Sequence, residues 1–154
     1  MWPETREKVN IEIEHLHKQI EYHRILLQKV SHSDPDPVDL SALSALLHAF
    51  YTGIENIFTR IAVEIDGVRL SGDRSHTDLL TKMAKATAKH PAVISNSLYV
   101  ETIKYMQFRH VFRHAYTFDL KWRKMSELVF HCEEVLEHLE TELTDFFDSS
   151  GQGS

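Results

Sequence analysis

The stretch that most limits what this chain can fold into is residues 37–65. Leu40, Leu43, Leu47, Phe50, Ile54, Ile57, Phe58, Ile61 and Ile65 recur every three or four positions, the spacing that lines one face of an α-helix. As the most apolar part of the chain, this helix is expected at the centre of the molecule. Asp36-Pro37 marks its start: a capping side chain, then a proline whose missing N–H goes unnoticed in a first turn. Asp66-Gly67 marks its end, because glycine readily takes the left-handed conformation that closes a helix.

The rest of the chain reads as helices arranged around it. Residues 4–31 form one long amphipathic helix in this reading, with Ile11, Leu16, Ile20, Leu27 and Val30 at helical spacing, about 40 Å long at ~1.5 Å per residue. Pro35 and Pro37 break it. Residues 68–75 are polar and contain Gly72, which suits a surface loop. A short helix over about 76–89 is ended by His90-Pro91. Ser95-Asn96-Ser97 offers caps for a helix over about 97–114, and the helical pattern lapses around Tyr116-Thr117. A last helix, about 121–147, buries Trp122, Met125, Leu128, Val129, Cys132, Val135, Leu136, Leu139, Leu143 and Phe146. The fold expected is all-α: an up-and-down helical bundle of four long helices plus one short helix, forming a single domain over 1–148 with a disordered tail at 149–154.

Five glycines and four prolines argue against a turn-rich β architecture. The single Cys132 rules out an internal disulfide and suits a reducing compartment. No apolar run reaches membrane-spanning length, and Met1-Trp2-Pro3-Glu4 lacks the pattern of a signal peptide. A cytoplasmic protein with no membrane partner is therefore expected.

A net charge of −6 would ordinarily speak against a nucleic-acid partner, but the charge is segregated. Residues 82–124 carry nine Lys and Arg against Glu101 and Asp119, while residues 125–154 carry eight acids and no Lys or Arg. Inside the basic segment lies Phe108-Arg109-His110-Val111-Phe112-Arg113-His114-Ala115-Tyr116. Arg presents a planar fork of donors that matches phosphate, and His is the side chain best suited to move a proton near neutrality. An Arg beside a His can cleave RNA without a metal: the His assists the 2′-hydroxyl or the leaving oxygen, and the Arg stabilises charge growing on the phosphate.

Arg109 and His114 are five apart, which on a regular helix sets them about 140° from each other. His110 and His114 share a face, as do Arg109 and Arg113. A two-fold dimer through this helix would build a composite site from two copies. Plainer readings stand beside these: cations favoured at a helix C-terminus by its dipole, Tyr116 as an aromatic anchor, and His48 as a satisfied core or interface residue. Lys82, Lys85 and Lys89 read as a solvated face or as a guide for RNA. No acidic or Cys residue at short spacing supports His110 and His114 as a metal pair, and no H-E-x-x-H occurs, so neither metal nor cofactor is expected.

Arg109, the polar His110 and His114 resemble the R-x4-6-H signature of the HEPN superfamily, and His114-Ala115-Tyr116 resembles the H-x-Y extension of its HepT branch. The segment from His48 to Phe58 resembles the second helix of HepT-like proteins. This likeness spans roughly residues 5–147. It implies a dimeric ribonuclease toxin paired with a minimal nucleotidyltransferase antitoxin. It further implies that Arg109 and His114 are catalytic and that Tyr116 receives AMP from the antitoxin. Beside them His110 and Arg113 are supporting candidates, His110 either orienting the site or only sitting beside it, Arg113 either binding phosphate or pairing with an acid. Some relatives have been viewed as substrate-binding subunits of nucleotidyltransferases, so a non-catalytic partner subunit is the alternative.

Overall fold

A computed structural model describes residues 1–114, 116 and 120–152. The structure is all-helical, with no strand among the described residues. Its helices are α1 (Pro3–Tyr22), α2 (Arg24–Val30), α3 (Pro37–Glu64), α4 (Ser75–Met83), α5 (Asn96–His114) and α6 (Trp122–Gln152). The helical bundle expected from the sequence is found, with four long helices and two short ones.

α3 is the central helix, packed against α1, α4, α5 and α6. Leu43, Leu46, Leu47, Phe50, Tyr51, Ile54, Ile57, Phe58 and Ile61 are fully buried. The Asp36 side chain accepts from the Asp39 amide while the Asp39 side chain accepts from the Asp36 amide, a reciprocal cap at the predicted start. Gly67, with φ of 67°, takes the left-handed conformation just past its end. Gly53 lets α1 approach: a Cβ there would stand 2.4 Å from Leu16 Cδ2.

The single helix expected over 4–31 is two. At His23 the ring Nδ1 lies 2.8 Å from the carbonyl of Gln19, the acceptor that the His23 amide would use in a continuous helix. The amide turns to Ile20 instead, at 3.1 Å. A side chain competing for its own helix's carbonyl is a recognised way to interrupt the ladder. Ile11, expected on the buried face, is half exposed; Val9, Ile13, Leu16 and Ile20 form that face, and Ile11 points away from it.

α4 is also shorter than expected, ending at Met83 rather than near Lys89. The Met83 carbonyl accepts from Val93 and Ile94, so the chain after α4 folds back on the helix end. Beneath that return, His90 Nε2 sits 2.7 Å from Asp66 Oδ1, and both side chains are almost fully buried. His90 also meets the rings of Trp2 and Phe146. This joins the end of α3, the α4–α5 connection, the N-terminus and α6 at one point.

α5 is capped by Ser95, whose Oγ accepts from the Leu98 amide at 3.1 Å. Glu142 of α6 takes both the Ser95 amide and its hydroxyl, at 2.6 and 2.7 Å. α6 runs to Gln152, past the expected end near 147. Cys132 lies in its buried stripe, where burial foremost, and then the charge of Glu133, pushes the thiol up to about 11. No helix is long and apolar enough to cross a membrane among the described residues.

Candidate functional site

The chemistry-bearing segment occupies the last turn and a half of α5. Phe108 and Phe112, four apart, turn inward; their rings stack at 6.1 Å, and Phe112 meets the ring of His48 on α3 at 5.3 Å. These two aromatics fix the rotation of the helix end and thereby decide where the polar side chains point.

Arg109, next to Phe108, is turned along the bundle toward α4 and is half-buried. Its Nη1 lies 3.4 Å from Nε2 of His76 in the first turn of α4. His76 Nδ1 in turn lies 2.8 Å from Oε2 of Glu55 on α3. A carboxylate only accepts and a guanidinium only donates. His76 therefore carries its proton on Nδ1, donating to Glu55, and receives Arg109 on the lone pair of Nε2.

Beneath α5 the Nδ1 of His48 is buried with no hydrogen-bond partner, and the hydroxyl of Tyr51 is buried beside Glu55. Buried polar groups without partners are costly and uncommon in folded proteins. Burial, followed by the charges of Arg109 and Arg113, holds the His48 imidazole below its ordinary range. Burial, followed by the charge of Glu55, pushes the Tyr51 phenol up, while Arg109 works against that shift. Arg109 thus lies in a polar cluster drawn from three helices: His48, Tyr51 and Glu55 of α3, His76 of α4, and Arg109 itself.

His110 and His114 lie on the outward side of α5, both exposed, with their rings 4.8 Å apart. Arg113 is exposed as well. Tyr116 lies just beyond the helix, 72% exposed; Ala115 and Thr117 lie outside the described residues. The structure therefore joins His110 to His114 and Arg109 to His76, and no contact joins Arg109 to His114 within one chain. The angle of about 140° expected from their spacing is kept, because α5 is regular through His114.

Several acids of α6 pair away from this end. Glu133, Glu140 and Asp148 pair with Arg24, His17 and Arg6 on α2 and α1, and Glu142 pairs with His138. Among the described residues Arg113, Lys121, Arg123 and Lys124 have no ion-pair partner, whereas Lys104 pairs with Glu127 at 3.6 Å. Lys82 pairs with Asp66, and with α4 ending at Met83, Lys82, Lys85 and Lys89 do not form one helical face.

Sequence reasoning missed His76. It stands 33 residues from Arg109, with an ordinary polar context around it. Glu55 was the visible signal: a carboxylate on the most apolar helix needs a partner.

A family model described as HepT-like protein matches residues 42–150, from within the second turn of α3 to near the end of α6. No curated protein and no solved structure matches the chain.

Proposed function

This chain belongs to the HepT-like family, of the HEPN-type toxin group, and on that premise we propose that it is a toxin that cleaves RNA without a metal ion. The observation that carries this reading is the end of α5. There His110, Arg113 and His114 stand exposed, with no carboxylate paired to them among the described residues, and Arg109 lies one turn deeper. A cationic surface able to move protons suits a polyanion that is to be cut.

In the reaction, His114 takes the proton of the ribose 2′-hydroxyl or supplies one to the departing 5′-oxygen. The new bond from the 2′-oxygen to phosphorus forms as the bond from phosphorus to the 5′-oxygen breaks. Arg109 stabilises the charge on the non-bridging oxygens, with Arg113 and His110 in support. A homodimer through α5 sets two such segments side by side and supplies the convergence that one chain lacks. Tyr116 is the switch: its phenolic oxygen attacks the α-phosphorus of ATP on a cognate minimal nucleotidyltransferase, and pyrophosphate leaves. The AMP so attached brings bulk and negative charge to the RNA-binding surface. The proposed setting is the cytoplasm, where RNA and ATP are both at hand.

Incubating RNA with the wild type, Arg109→Ala and His114→Ala in the presence of EDTA tests the chemistry. The wild type should cleave, and each variant should lose roughly 100-fold or more in rate. Equal cleavage by His114→Ala, or loss of wild-type cleavage on chelation, overturns it. With ATP and the antitoxin, AMP mass should appear on the wild type and not on Tyr116→Phe; label on Tyr99 or Tyr105 would refute that assignment. The separation of Arg109 from His114 in one chain favours a second reading, a non-catalytic subunit that presents substrate or Tyr116 to a nucleotidyltransferase. That reading gives a stable complex without cleavage or growth arrest.

A further inference from the structure

We propose that His76, held by Glu55, is the positioning residue that fixes the guanidinium of Arg109 for phosphate. This rests on the reading of Arg109 as the phosphate-binding group. The three residues come from three helices and form a line in which each member suits only its place. Glu55 can only accept, Arg109 can only donate, and an imidazole with its proton on Nδ1 does one at each end. The distances are 2.8 Å from Glu55 to His76 and 3.4 Å from His76 to Arg109.

The imidazole between them matters. A carboxylate placed directly against Arg109 would take two parallel N–H donors in a fork-to-fork pair, the same donors that bind phosphate in that mode. His76 takes one Nη1 donor and leaves the remaining donors free. Donating to Glu55 polarises the ring and makes Nε2 a better acceptor for Arg109, while the carboxylate itself stays out of contact with the guanidinium. The cavity beside Glu55 and His76 is about 70 Å³, too small for a nucleotide, so these two residues act through Arg109 rather than on RNA. Both are shielded, with side chains 22% and 33% exposed.

The test uses the full chain. In RNA cleavage, His76→Leu should lower kcat by roughly 10- to 100-fold, the scale of a misplaced catalytic group, with the melting temperature recorded alongside. His76→Gln, whose amide can donate to Glu55 and accept from Arg109, should recover most of that loss, which a merely structural role would not predict. Glu55→Gln should fall between them. Separately, ¹⁵N NMR should show the His76 ring protonated on Nδ1, with an Nε2 resonance that moves in Arg109→Ala. Unchanged kcat in His76→Leu, or an Nε2 resonance indifferent to Arg109→Ala, overturns the proposal. If the wild type cleaves no RNA, the nuclease reading fails, and the ring-nitrogen shifts still decide whether His76 holds Arg109.

Discussion

His48 carries a thermodynamic signature of its position. Its folded-state pKa is held below the ordinary value, first by burial and then by Arg109 and Arg113. A histidine depressed in the folded state binds fewer protons there than when unfolded. Its contribution to stability is therefore complete above the unfolded value of about 6.5 and is lost as pH falls through the folded one. Thermal melts from pH 7.5 downward should show the wild type losing stability across that window, and His48→Gln should show a shallower loss; parallel curves would refute the assignment. The sequence showed His48 on an apolar helix and suggested a satisfied residue. That its Nδ1 is buried and unpartnered depends on how α5 lies over it, which no local pattern records.

At the scale of elements, the close pairing of α1 with α3 turns on Gly53. The atoms a Cβ would meet belong to Leu16, which is itself buried, so it has little room to swing aside. Alanine is the better helix former by roughly 1 kcal/mol, whereas overpacking a filled core costs about 1–3 kcal/mol. The clash should win, and Gly53→Ala should lower stability by about 1 kcal/mol, read as a lower midpoint of urea unfolding with an unchanged slope. A double variant with Leu16→Ala should lose the penalty at position 53; an additive result would show that Leu16 is not its cause. The start and end of α3 were legible because Asp36, Pro37 and Gly67 act through local backbone chemistry. The break at His23 was not, since the same Nδ1 that takes the Gln19 carbonyl would pass in sequence for an exposed helical side chain. Nor was the early end of α4, set by Val93 and Ile94 returning to Met83.

For the whole molecule, charge and exposed apolar surface meet on α5. Val100 and Val111 are both half exposed and, eleven residues apart, lie within about 20° of each other around the helix. His114 is close to the same stripe. The proposed two-fold pairing through this face predicts a solution mass twice the 17.9 kDa of the chain, and Val111→Asp should reduce it to a monomer. Light scattering on both proteins decides this, and a monomeric wild type would remove the composite site.

What the sequence determined by itself was whatever acts along a helix: the period that makes α3 central, the caps, the segregation of charge, and the clustering of Arg109, His110, Arg113, His114 and Tyr116. Tertiary structure alone decided which of those side chains face one another. The angular separation of Arg109 and His114 was legible, but the direction of each was fixed by Phe108 and Phe112 seating α5 on the core. Only that seating turns Arg109 to His76 and leaves His114 outward. The pairing of α6 acids with Arg6, His17 and Arg24, rather than with the basic end of α5, was likewise beyond any linear count of charge. It depends on which helices are neighbours, and in a bundle that follows from the burial of apolar faces rather than from the order of charges along the chain.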